Sequence, residues 1–186
     1  MAVANRSWRK TGIRATKNKL LKMIKGLFNW KILNSKEVRF VTGLVEQQWG
    51  CKVEFEEGFL QNKSGDLFLV SRALEELDLS KLSINSIGLY FGELRNDELR
   101  LSIEGSQLIG PKATKNVVVL NDDELKEWLS GNNVEKVVDS CSGYVLIKHN
   151  NDFFGCGRYK DGKILNFVPK GRRLNIAKHA VPEELS

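Results

Sequence analysis

The sequence predicts an α+β fold in two parts: a small N-terminal α/β domain, then a small, mostly β barrel with two short helices. Three observations carry this. Residues 35–83 read in the order helix, strand, strand, helix. From Ser86 onward the pattern changes to six or so short strands, the pattern of a barrel. Asn96-Asp97, Asn150-Asn151 and Asp161-Gly162 separate these strands, and Asp-Gly is a strong two-residue hairpin signal. The expected divisions are a basic extension over 1–34, the α/β domain over 35–83, the barrel domain over 84–178 and a tail over 179–186.

In the extension, Leu20, Ile24, Leu27 and Phe28 share one helical face, and Lys17, Lys19, Lys22 and Lys25 occupy the remainder. Such a helix could dock its stripe on its own domain, grip RNA or lie on a membrane surface. The next helix has Ser35 as expected N-cap, Glu37 in its first turn and Gly50 as its stop. In "CKVEFEE" the alternation of Cys51, Val53 and Phe55 reads as a half-buried strand, "NKSG" as a turn and "DLFLV" as a short buried strand. Ser71 opens the helix "RALEELD". Further on, "IGLYFGEL" and "ELRLSI" form a hairpin, and "EGSQLIGPKATK" is a short helix broken at Gly110-Pro111 before the strand "NVVVL". "NDDELKEWLSG" is a helix with Asn121 and Glu124 at capping-box spacing and Gly131 behind its last turn. "GYVLIKH", "DFFGCGRY" and "KILNFV" are the closing strands. Gly155 and Gly157 within a strand predict a bulge, a bend or a close backbone approach.

A chain of 186 residues with nine Phe, four Trp and three Pro can bury a real core. No apolar run approaches the ~18 residues of a membrane span, and no secretory signal is expected. Cys51, Cys141 and Cys156 are an odd number at long spacings, and the histidines are His149 and His179 only. Neither a disulfide framework nor a metal site is expected, and the cysteines read as small core hydrophobes in a reducing cytoplasm. A catalytic pairing of Cys141 or Cys156 with His149 is the alternative. Gly88 and Gly92 are too sparse for a cofactor fingerprint, and phosphate-loop spacing is absent. The acids Asp122, Asp123, Glu124 and Glu127 are explained by the first turns of one helix. No cofactor and no catalysis are expected.

Charge is the functional signal. Residues 1–39 hold 11 Lys/Arg and one acid, residues 40–135 hold 9 and 17, and residues 136–186 hold 9 and 5. Basic ends around an acidic middle suggest localised contact with a polyanion. The hairpin turn at Asp161-Gly162 sets Lys160 beside Lys163, with Arg158 on the same face. Facing like charges are destabilising by a few tenths of a kcal/mol, a cost that a passing phosphate backbone would remove. "PKGRR" then adds Lys170, Arg172 and Arg173 in a glycine-loosened loop, where arginine forks suit phosphate oxygens. Lys112 and Lys115 form a weaker basic pair. The bland alternative is that these cations splay into water. Tyr159 or Phe167 could stack on a base if exposed.

The series "GLYFGEL", "LIGPKATKNVVVL", "WLSGNNVE", "GYVLIKH" and "FFGCGRYKDGKILNFVPKGRR" resembles a PUA domain, the pseudo-barrel RNA-binding module, over about residues 84–174. The hairpin with "VPKGRR" is similar to the PUA-like domain of RsmF-type ribosomal-RNA methyltransferases. The order of a small α/β domain, "DLFLVSRALEEL" and "GLYFGELRNDELRLSIEG" resembles the Nip-type ribosome-biogenesis factors. The resemblance implies an RNA face formed by Gly110, Lys112, Lys115 and the last strands. The sequence expectation is therefore a cytoplasmic, non-catalytic RNA-binding protein acting on ribosomal RNA in ribosome biogenesis, in the Nip-type manner of binding pre-ribosomal RNA through the PUA domain. Lys112, Lys115, Arg158, Lys160, Lys163, Lys170, Arg172 and Arg173 would hold the RNA, and ribosome-assembly proteins or an RNA-modifying enzyme are the further partners expected. The alternatives to this expectation are a structural ribosomal protein and an accessory subunit of a methyltransferase or pseudouridine synthase.

Overall fold

The computed structural model describes residues 30–71 and 88–174. The basic stripe of the extension, the helix expected from Arg72 and the C-terminal tail lie outside the described residues.

Helix α1 (Ser35–Trp49) forms because Val41, Leu44, Val45 and Trp49 fall on one face and are buried together. Its cap is Asn34, not Ser35. The Asn34 side chain accepts from the Lys36 and Glu37 N–H groups, and Glu37 accepts from the Asn34 N–H at 2.9 Å. Glu37 stands three residues beyond Asn34, which is capping-box spacing and fixes the start one residue earlier. Gly50 ends the helix in the left-handed region, at φ 70°.

Five strands follow one another in an antiparallel sheet: β1 (Lys31–Ile32), β2 (Gly58–Gln61), β3 (Asp66–Val70), β4 (Leu89–Arg95) and β5 (Glu98–Leu101). The strand expected at "CKVEFEE" is corrected. Residues 51–57 keep the alternating burial but carry no strand ladder, and pairing begins at Gly58. Here the alternation reports Val53 and Phe55 packing against the core from an irregular segment. Asn62 Oδ1 accepts from the Ser64 and Asp66 N–H groups to make the β2–β3 turn. Asn96 and Asp97, at φ 51° and 58°, make the β4–β5 turn. Because β3 pairs with β4, the sheet joins residues on both sides of the division expected near residue 83.

After β5, Ser102 caps the short helix α2 (Ile103–Ile109), which runs into a 3-10 turn at Gly110–Lys112. The second sheet has the order β6 (Val117–Val119), β8 (Gly143–His149), β9 (Asp152–Lys160), β10 (Lys163–Leu165), β7 (Val134–Glu135). Only the β6–β8 pairing is parallel. This sheet curls as a half-barrel, in keeping with an α+β fold containing a PUA-like pseudo-barrel. Helix α3 (Asp122–Ser130) has the Asn121/Glu124 capping box and the Gly131 stop that the sequence calls for.

The second sheet is apolar on both faces. Leu146 and Cys156 belong to one core with Trp49, Phe59, Phe91 and Leu99. Val145, Ile147 and Ile164 belong to another with Val118 and Trp128. Gly155 permits this. It lies at a bulge where the β8–β9 register shifts, with φ 117°, a value that L side chains rarely adopt. Before the bulge Phe153 faces the first core and Phe154 the second; beyond it Cys156 faces the first. Gly157 answers a different need, since a Cβ there would meet Ile164 Cγ2 at 2.6 Å.

The α3 cap also sets a pH dependence. Burial would raise the Glu124 pKa, but the Lys136 ammonium at 2.7 Å and the Asn121 N–H at 2.8 Å outweigh it and hold the carboxyl below its usual value of 4.5. A depressed carboxylate contributes stability above its unfolded pKa and loses it as pH falls through its folded pKa. Glu124→Gln is therefore expected to weaken the fold at neutral pH while reducing its acid sensitivity below about pH 4.5. Urea titrations across that range measure both. An unchanged acid slope in the variant counts against the assignment.

Candidate nucleic-acid interface

The β9–β10 hairpin turns on Asp161 and Gly162, at φ 51° and 74°, and sets Lys160 directly opposite Lys163 as expected. The tertiary structure then changes the electrostatics. Strand β7 pairs on the other side of β10 and places Glu135 opposite Lys163, with Nζ and Oε1 2.7 Å apart. The Lys163 ammonium donates to Glu135 and holds that carboxyl below its ordinary value. The like-charge conflict is thus relieved within the fold. Lys160 has no ion pair among the described residues and stays exposed.

Arg158 lies two residues back on the same strand face. Its guanidinium donates to Glu98 Oε2 at 2.9 Å and sits 5.1 Å from the Tyr144 ring centroid. Glu98 arrives at the start of β5, 60 positions away in sequence.

The loop after Pro169 is a 3-10 turn, Lys170–Arg172, and not a glycine-loosened segment. Gly171 has no positive φ, and the Arg172 N–H donates to the Pro169 carbonyl at 2.8 Å. Asn166 anchors the approach by donating to the Trp128 and Asn132 carbonyls, and the Leu174 N–H donates to Leu129. The three cations diverge. Lys170 is exposed and has no ion pair among the described residues. Arg172 Nη2 meets Glu104 Oε1 at 2.7 Å. Arg173 Nε donates to the Val168 carbonyl, and its side chain covers Gly131.

Lys112 and Lys115 flank a loop clamped to the end of α1. Thr114 and Lys115 N–H groups both donate to the Trp49 carbonyl, and the Asn116 side chain donates to Gln48. Cations at a helix C-terminus face the negative end of its dipole. Both lysines are exposed and carry no ion pair among the described residues. Lys148, outside the cation clusters of the sequence, stands 5.9 Å from the centroid of the Phe153 ring that packs on Gly110. Strand alternation in "GYVLIKH", which puts Lys148 on the Leu146 face, was the available signal.

The two aromatic candidates separate. The Tyr159 hydroxyl accepts from the Val138 N–H, and its ring packs on the second core. Phe167 is 36% exposed, with the Arg100 guanidinium 4.8 Å from its centroid. Cys51 and Cys156 are buried, and Cys141 is partly exposed at the edge of the second core. Burial pushes the Cys156 thiol up to about 12, opposite to the shift that activates a nucleophilic cysteine. No group of three or more His, Cys, Asp or Glu side chains among the described residues could hold a metal ion. No helix among the described residues is long and apolar enough to cross a membrane.

The stretch from Lys115 through β6, α3, β7 to β10 and the final 3-10 turn has a known counterpart. Residues 115–174 match the PUA domain of the methyltransferase RsmF. The PUA resemblance is thereby shown. All the candidate cations except Lys112 fall within the matched residues. The chain is also 25% identical over 108 residues to ribosomal RNA small subunit methyltransferase F of Vibrio cholerae, covering 58% of this chain and 23% of that protein. It is 23% identical over 145 residues to the protein of the same name from Aeromonas salmonicida, covering 78% of this chain and 30% of that protein. The chain thus spans between about a quarter and a third of the length of these relatives.

Proposed function

We propose that this chain is an RNA-binding protein that holds ribosomal RNA through its PUA part and serves a partner instead of catalysing a reaction itself. The observation that carries this reading is the RsmF PUA match over residues 115–174, combined with unpaired exposed lysines on that part of the fold. Lys160 and Lys170 make the direct phosphate contacts, joined by Lys115 and Lys112 at the end of α1. Arg158, Lys163 and Arg172 already hold carboxylates, so their contribution requires exchanging one anion for another. An accessory role beside an RNA-modifying methyltransferase fits the identity of the relatives. A ribosome-biogenesis role of the Nip type is the second reading; it rests on the order of α1 and the first sheet ahead of the PUA part. The first sheet alone does not separate the two readings, because the Aeromonas salmonicida match extends over β2 to β5 as well. Either role places the protein in the cytoplasm.

Binding to a fragment of small-subunit ribosomal RNA is expected to weaken linearly on a log–log plot against salt, with a slope of about −0.9 per neutralised phosphate. Filter binding from roughly 50 to 200 mM salt measures it. A salt-independent affinity would remove the electrostatic basis of the proposal. Capture of a stoichiometric methyltransferase from cell extract supports the accessory role, and capture of precursor ribosomal particles supports biogenesis.

A further inference from the structure

We propose that the cleft between the two sheets is a pocket for one unstacked base of single-stranded RNA, with Phe167 and Arg100 as its stacking surface. This rests on the RNA-binding reading above and adds a site that the charge pattern did not indicate.

Among the described residues the cleft has a volume of about 450 Å³. That lies within the ~300–1,000 Å³ common for small-ligand sites. One wall comes from the first sheet, with Leu89, Tyr90 and Arg100. The other is the β9 bulge and the segment leading to the last 3-10 turn. Phe167 and Leu89 line it while remaining 36% and 39% exposed, so the cleft presents accessible apolar surface. The aromatic surface continues outward from the wall. Tyr90 lies 5.2 Å from Phe68, and Phe68 stacks on Trp30 at 4.8 Å between centroids.

The charges select a base over a phosphate. Arg100 is ion-paired with Glu93, a carboxylate that also meets the exposed Arg95, and Arg172 is paired with Glu104, so each guanidinium on the cleft already faces a carboxylate. A neutralised guanidinium keeps its planar face for stacking and exerts little pull on an anion. The unpaired Lys170, on the turn that also carries Arg172, is the cation left for the adjoining phosphate. An aromatic face, a planar guanidinium and a cation at the rim are the elements with which proteins hold splayed-out bases.

The test uses the full chain and two nine-nucleotide strands, an oligoadenylate and an all-abasic strand with the same phosphates, compared by fluorescence anisotropy. The oligoadenylate is expected to bind about tenfold more tightly, from the stacking of one base. Phe167→Ala is expected to remove most of that difference and leave abasic-strand binding unchanged, whereas Phe167→Tyr retains it. Arg100→Lys keeps the charge but loses the planar face, and is expected to reduce the difference severalfold. Equal binding of the two strands by the wild type overturns the pocket while leaving the RNA-binding reading intact. Retained discrimination in Phe167→Ala overturns it likewise. If that variant does not fold, retained discrimination in Arg100→Lys does so. Failure of both strands and of ribosomal RNA to bind overturns the underlying reading as well.

Discussion

Replacing Trp128 with alanine is expected to cost about 3–5 kcal/mol, a large share of the roughly 5–15 kcal/mol that stabilises a typical domain. The indole is fully buried on α3 among Val134, Val145, Ile147 and Ile164. Its Nε1–H donates to the Phe154 carbonyl at 2.8 Å, beside the β9 bulge. Alanine would leave a cavity and an unpaired carbonyl together. Trp128→Phe separates the two effects, because it keeps most of the apolar volume and loses the donor, at about 1–3 kcal/mol. Urea unfolding of both variants measures the difference. A Trp128→Ala variant within about 1 kcal/mol of the wild type would contradict the second core as described. The effect reaches the interface, because Asn166 donates to the Trp128 carbonyl and Leu174 to that of Leu129. Loosening α3 therefore releases the turn that presents Lys170.

The second large effect is electrostatic. Changing Lys112, Lys115, Lys160 and Lys170 to glutamine together is expected to reduce the log–log salt slope of RNA binding by about three to four, at about 0.9 per lost phosphate contact. At low salt, affinity falls by orders of magnitude while the thermal unfolding midpoint changes little, since these side chains are exposed and hold no ion pair among the described residues. Arg158→Gln is the informative contrast. It also breaks the contact with Glu98 and leaves that carboxylate beside the interface, so its loss of binding includes the new repulsion. A quadruple variant with an unchanged slope would place the RNA elsewhere on the molecule.

Local chemistry made much of the fold legible. Asn96-Asp97 and Asp161-Gly162 adopt the positive φ values that hairpin turns require, and Asn121 with Glu124 closes a capping box within four residues. The bulge at Gly155 and the close approach at Gly157 likewise follow from what a missing side chain permits. Where the local pattern failed, a competing local signal or remote packing explains it. Asn34 outcompeted Ser35 because Glu37 could answer it, and Cys51, Val53 and Phe55 alternate in burial without a neighbouring strand.

The sequence by itself thus determined the turns, the caps, the hairpin that juxtaposes Lys160 with Lys163, and the basic character of the last strands. Each depends on residues only a few positions apart. Tertiary structure alone decided which of those cations remain available. Glu135, Glu98 and Glu104 reach Lys163, Arg158 and Arg172 only because strand pairing and helix packing bring distant segments together. The cleft that holds Phe167 and Arg100 arises in the same way, between walls contributed by separate sheets. A charge count along the chain registers the cations, whereas their partners are set by contacts that close over long loops.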